Sequence, residues 1–321
     1  MKIGRWSVAG GESSDGFIVD GAVIAFADGL TVADVLQRGL DALPALWAAS
    51  RKEPKTTLED VILLSPLSPA AIRDFVAFEE HVEGVTAAID GTSAVPPEWY
   101  EAPTFYFTNP HTVLGPNEPV VPPETERLDF ELEVAAIVGG AGGTDLSIAD
   151  AAGAIFGYTI MNDWSARDVQ GREMNVRLGP AKGKDFGTSL GPWIVTRDEL
   201  EPFTDDEGFL SIRAEARVNG VLVGADLVSN MGWRFADLVA YASRASRVVA
   251  GDVLGSGTVG NGGCLAELWG RRGELDPAPL TAGDVVSLSV EGIGDLVSRV
   301  EAPVAAVPIA PARPRTRARH R

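Results

Sequence analysis

The chain has 321 residues, 45% of them hydrophobic, and a formal net charge of −18. Length and apolar content suffice for one large core with a smaller lobe, while the acidity excludes a nucleic-acid partner, because phosphate binding needs a basic face. A single cysteine, Cys264, excludes an intramolecular disulfide and suits a reducing compartment.

Met1–Trp6 lacks the apolar core of a signal peptide, and no run approaches the ~20 apolar residues of a membrane span. A soluble, cytoplasmic protein with no membrane partner is expected. Residues 1–30 read as short strands with glycine turns at Ala9-Gly10-Gly11, Asp20-Gly21 and Asp28-Gly29. Thr31 is placed to cap a helix whose apolar spacing runs through Leu40, Leu43 and Leu46. After a charged linker at 51–57, Val61–Leu64 reads as a short buried strand. These features divide the chain into a small N-terminal β/α lobe over 1–65, a main domain over 66–305 and a disordered Pro/Arg tail over 306–321, where five arginines fall in the last eleven residues.

Ser68-Pro69 predicts a helix start. Ile72, Phe75, Val76, Val82 and Val85 continue it at helical spacing, which would place Asp74, Glu80 and His81 on one helix. Trp99–Thr108 reads as an aromatic strand. Leu128–Val138 reads as one strand with Asp129, Glu131 and Glu133 on a common face. From Val134 onward it is apolar on both faces, as a strand entering a core must be. Two carboxylates at the mouth of a buried strand repel each other and call for a positive partner, whereas Asp129 reads as solvated surface. Ser147–Gly153 reads as a short helix and Ala154–Met161 as a buried strand that gives way to a helix near Trp164–Gln170. Lys182–Ser189 forms a polar loop before a strand at Pro192–Thr196. Leu210–Val223 is a hairpin turning at Asn219-Gly220, a type I′ signal. Trp233–Ser243 is amphipathic, and late strands follow at Asp252–Val259 and Asp284–Val300. Helices and strands do not alternate regularly, so the expected class is α+β, β-rich, with mixed or antiparallel sheets. No phosphate-binding glycine motif is present.

Glu131, Glu133, Asp163, Asp74 and the Glu80-His81 pair form a candidate oxygen-rich cluster. With no cysteine pair and no His-x-x-x-His spacing, such donors favour Mg²⁺, Mn²⁺ or Ca²⁺ over zinc. Gly157–Gln170, reading Gly-Tyr-Thr-Ile-Met-Asn-Asp-Trp-Ser-Ala-Arg-Asp-Val-Gln, resembles the signature of the fumarylacetoacetate hydrolase family. Glu131-Leu132-Glu133 resembles that family's metal-binding Glu-x-Glu strand, Lys184–Val195 its lysine loop and Gly255–Thr258 its late strand-turn. The matches fall in family order.

The resemblance implies a β-rich sandwich or roll, a homodimer, and a site at the mouth of the sheet. It implies Glu131, Glu133, Asp163 and Asp74 as metal ligands and His81 as general base, oriented by Glu267 or by the rival Glu80. Lys184 and Gln170 would serve the substrate and oxyanion, with Tyr106 and Thr258 as substrate contacts. The implied activity is metal-dependent hydrolysis of a carbon–carbon bond in a β-diketo acid, an acylpyruvate or a fumarylacetoacetate- or fumarylpyruvate-like compound. Same-fold isomerases, decarboxylases and hydratases of related 2-keto or 2-hydroxy-dienoic acids are the alternative, and a non-catalytic metabolite-binding module is a further one. Of the three histidines, His320 lies in the tail and His111 in a loop, which leaves His81 for base work near neutral pH.

Overall fold

The computed structural model describes residues 1–8, 11–90 and 94–313. The turn at Ala9-Gly10-Gly11 and the tail beyond residue 313, including His320, therefore fall wholly or partly outside the described residues. Local signals set many elements. Thr31 accepts from the Asp34 N–H and Asp34 reciprocates, closing a capping box on the helix Val32–Arg38. Ser147 accepts from the Asp150 N–H and so caps Ile148–Ala154. Asn219 and Gly220 both take positive φ between the strands Arg213–Val218 and Val221–Leu227.

Twelve strands form one mixed sheet. Its main path runs Lys55–Thr57, Ala22–Ala25, Ser13–Val19, Lys2–Ser7, Thr188–Thr196, Ile155–Asp163, Leu132–Val138, Val253–Gly255, Ile72–Phe75, Phe105–Thr108. Its pairings are antiparallel except for Val253–Gly255 on Ile72–Phe75 and Val113–Leu114 on Thr188–Thr196. A second, antiparallel sheet of four strands holds the Arg213–Leu227 hairpin beside Val285–Val290 and Gly294–Arg299. The chain is thus α+β and β-rich, as expected.

The strand Leu132–Val138 lies deep in this sheet, and its alternation sorts two cores. Val134, Ala136 and Val138 join the core under the helices Phe235–Ser243 and Leu265–Arg272 and the four-stranded sheet. Ala135 and Ile137 face the other way, onto Ile3, Phe17, Val35 and Leu36. Residues 1–65 therefore add strands to the edge of the main sheet and apolar side chains to one of its faces. Among the described residues, no helix is long and apolar enough to cross a membrane.

Several elements depart from the sequence reading. Residues 72–75 form a strand rather than a helix, and the helix begins only at Glu79. Ile72–Phe75 is buried and pairs on both sides, so non-local backbone hydrogen bonds override the helical spacing. The acidic strand is broken: Leu128–Asp129 pairs with Ser165–Ala166, and the long strand starts at Leu132. Asp129, read as surface, is fully buried. The aromatic strand starts only at Phe105, after a 3₁₀ turn at Pro97–Tyr100, and the strand near Asp252 contracts to Val253–Gly255.

Candidate active site

Neighbouring strands bring the carboxylates together. Asp74 faces Gly255 across the parallel pairing and Tyr106 across the antiparallel one. Glu133 lies opposite Met161, and Asp163 ends its own strand. Glu131 sits at the break before Leu132, its N–H donating to Asn162 Oδ1 at 3.0 Å. Carboxylate oxygens of Asp74, Glu131 and Glu133 lie within 4.8 Å of one another. Gly255 admits this crowding: a Cβ there would stand 2.6 Å from Glu133 Oε2 and 3.1 Å from Asp74 Oδ1.

Two cations answer part of the charge. Lys184 Nζ donates to Glu131 Oε2 and, at 2.6 Å, to Asp163 Oδ2. Arg167 Nη2 lies 2.7 Å from both Glu131 Oε1 and Asp129 Oδ2. Burial alone would raise Glu131, but Lys184 and Arg167 outweigh it and hold that carboxyl far below its ordinary range. The others go the opposite way. Burial, then the Asp163 charge, pushes Asp74 well up; burial, then Asp74, does the same to Glu133; and burial raises Asp163. Tyr106 donates its hydroxyl to Asp163 Oδ2.

Asp74 Oδ1, Glu133 Oε1 and Asp163 Oδ1 are buried with no hydrogen-bond partner among the described residues. Such oxygens cost stability unless something positive meets them. Orphaned oxygens, an oxygen-only donor set and a glycine that keeps the space open together fit a divalent cation of the Mg²⁺, Mn²⁺ or Ca²⁺ kind.

His81, near the start of Glu79–Asp90, is 7% exposed and faces the cluster. Its Nδ1 stands 3.9 Å from Glu267 Oε2 and 3.7 Å from Cys264 Sγ. Burial lowers its pKa to about 4, so the imidazole is neutral at pH 7. Glu267 lies on Leu265–Arg272 and is pushed up to about 7 by burial, against the opposing pull of Arg271. Gly84 lets the two helices meet, since a Cβ there would lie 2.4 Å from Glu267 Cγ.

A cavity of about 390 Å³ opens onto this cluster. Asp74, His81, Tyr106, Glu131, Glu133, Gln170, Lys184 and Thr258 line it. Asp163 stands behind Lys184 and Tyr106, and Glu267 behind His81. Glu80 lines no part of it; its side chain lies against Gly260, and Oε2 has no hydrogen-bond partner among the described residues. Clefts of about 600 and 620 Å³ lie elsewhere and contain none of the clustered carboxylates, so chemistry rather than volume marks the site.

Sequence reasoning passed over four participants. Arg167 lies within the signature run and lines the cavity. Asp129 accepts from Arg167 and from the N–H groups of Leu265 and Ala266, tying the helix that carries Glu267 to the carboxylate cluster. Its place in the Asp-x-Glu-x-Glu alternation was the available signal. Cys264, weighed in the sequence for disulfides, caps that helix and touches His81. Gly255, matched only as part of a turn, carried no local signal of its steric role.

The model of the family described as fumarylacetoacetate (FAA) hydrolase C-terminal matches residues 70–301, well over half of the chain. The chain belongs to the fumarylacetoacetate hydrolase family. Fumarylacetoacetase of Arabidopsis thaliana is 28% identical over 316 residues, covering 75% of each chain. Matches to the fumarylacetoacetases of Oryza sativa subsp. japonica and Dictyostelium discoideum span only 40% and 64% of those sequences. The oxaloacetate tautomerase YisK of Bacillus subtilis is 28% identical over 246 residues, covering 76% of this chain and 74% of the relative. Maleylpyruvate hydrolase from Sphingobium sp. SYK-6, solved with manganese(II) and pyruvate, shares the fold at a TM-score of 0.70 and 19% identity, over 95% of this chain and 100% of that one. Relatives of this chain thus include fumarylacetoacetases and an oxaloacetate tautomerase, and a solved structure 25% identical to it is a 5-carboxymethyl-2-hydroxymuconate delta-isomerase.

Proposed function

We propose that this family member is a divalent-metal-dependent hydrolase that cleaves the carbon–carbon bond of a β-diketo acid, of the acylpyruvate or fumarylpyruvate type. The observation that carries the reading is His81, a neutral imidazole beside the carboxylate cluster with Glu267 behind it. Asp74, Glu131, Glu133 and Asp163 would hold the cation, Mg²⁺ or Mn²⁺ (or Ca²⁺), which when bound supplies Lewis-acid polarisation of adjacent keto and carboxylate oxygens.

The rest falls to the chain. His81 has Nδ1 turned to Glu267 and Cys264, so Nε2 is the atom that takes a proton from water. The hydroxide adds to the distal carbonyl carbon. The bond from that carbon to the methylene then breaks, and its electron pair passes to the methylene as an enolate. Protonation there gives the second product, so one water and one diketo acid yield two acids. Glu267, once ionised, steadies the imidazolium. Lys184 gives two of its three N–H bonds to Glu131 and Asp163 and keeps one for a developing oxyanion. Gln170 turns Oε1 to Arg167, which leaves its amide N–H₂ for ligand.

Acetylpyruvate incubated with the Mn²⁺-loaded protein tests this reading: equal amounts of acetate and pyruvate are expected, and their absence overturns it. The likeness to a tautomerase over most of the chain favours a second reading. A neutral His81 can also shuttle a proton between carbon and oxygen without using water. A changed keto/enol ratio with no new acid would select that reading.

A further inference from the structure

The cavity has a polar floor and an apolar outer wall. On three segments a polar lining residue is paired with a more exposed apolar one. His81 is succeeded by Val85 one helical turn on, and Gln170 by Met174, which is 50% exposed. Buried Lys184 is preceded by Pro180. Val76 and Phe105, both half-buried, complete this wall.

Charge balance points the same way. Five buried carboxylates, Asp74, Asp129, Glu131, Glu133 and Asp163, face two cations, Lys184 and Arg167. Both cations are already engaged by those carboxylates. A divalent ion would still leave one negative charge in excess. Apart from His81, no other basic side chain lines the cavity among the described residues. A ligand's keto-acid end can meet the ion, but a second carboxylate at its far end would find no unengaged cation and would lie largely against apolar side chains.

We infer that the distal end of the ligand is an uncharged aliphatic group, so that this chain takes monocarboxylic 2-oxo acids such as alkyl acylpyruvates in preference to dicarboxylic ones. The inference rests on the keto-acid reading above and narrows it. About 390 Å³ leaves room beyond a three-carbon keto acid for an acyl chain.

The test is equilibrium binding to the Mn²⁺-loaded full chain, which needs no turnover. Pyruvate, 2-oxopentanoate and 2-oxohexanoate form one series, and 2-oxoadipate is the six-carbon dicarboxylate control. Affinity should rise by up to roughly fourfold per added methylene. The control should bind at least tenfold more weakly than 2-oxohexanoate, since a tenfold ratio corresponds to about 1.4 kcal/mol. Met174→Arg, at a half-exposed position that tolerates a long side chain, should reverse that preference. If pyruvate binds but 2-oxoadipate matches or exceeds 2-oxohexanoate, the inference is overturned and the keto-acid reading stands. If pyruvate fails to bind with Mn²⁺ present, both fall.

Discussion

Asp129 and Glu133 lie four residues apart on one acidic segment, equally buried and oppositely served. Asp129 accepts from Arg167 at 2.7 and 2.9 Å and from the backbone N–H groups of Phe130, Leu265 and Ala266. Glu133 has one donor, the Gly257 N–H at 3.2 Å, and its Oε1 has none among the described residues. A buried carboxylate that is fully answered holds elements together. One left half-answered costs stability and is tolerated where something else is to bind. The first acts as a joint between the carboxylate cluster and the Leu265–Arg272 helix; the second belongs to the proposed cation cradle.

Four substitutions sharpen or break that contrast. The largest effect is expected at His81, which in the proposed mechanism serves chemistry and neither joint nor cradle. His81→Ala should lower turnover about 10²–10⁴-fold while Mn²⁺ affinity in calorimetry stays unchanged; full activity would refute the base assignment. Asp129→Ala should cost about 3–5 kcal/mol in urea unfolding, with or without metal, because Arg167 loses a buried partner and the helix loses its anchor. A loss seen only in the metal-loaded protein would move Asp129 into the cradle. Gly255→Ala should weaken Mn²⁺ binding about 10–100-fold by forcing Glu133 and Asp74 apart, with little change in metal-free stability.

The most gradual effect is a pH slope. Glu267 has a pKa of about 7 in the folded chain against an ordinary 4.5. A raised carboxyl binds its proton more tightly folded than unfolded. Its contribution to stability is therefore full below pH 4.5 and is lost as pH rises through 7. Between those values wild-type stability should fall relative to Glu267→Gln, by at most about 1.4 kcal/mol per pH unit. Parallel stability curves would show that burial does not perturb this carboxyl.

The elements legible in the sequence were those written locally: the Thr31 and Ser147 caps, the Asn219-Gly220 turn and the alternation of Val134–Val138 between two cores. The strand character of Ile72–Phe75 was not legible, because it depends on pairing with residues 105–108 and 253–255. Most of the expected site residues line the cavity or stand directly behind it. Asp129 was misread for the same reason as Ile72–Phe75. Its partners lie 38 and 136 residues away, and no local pattern announces them. Choosing Glu267 over Glu80 beside His81 likewise required the contact of two helices at Gly84.

In the proposed reading Asp74, Glu131, Glu133 and Asp163 would together hold a divalent cation. Thermal unfolding of wild type and Glu133→Gln at pH 7, each metal-free and titrated with Mn²⁺, tests it most directly. Wild-type Tm should climb with Mn²⁺ as ligand binding to the folded state requires. The variant, which lacks the carboxylate needed to ligate the ion, should stay flat. An equal Mn²⁺ response in both proteins, or none in wild type, would contradict the account.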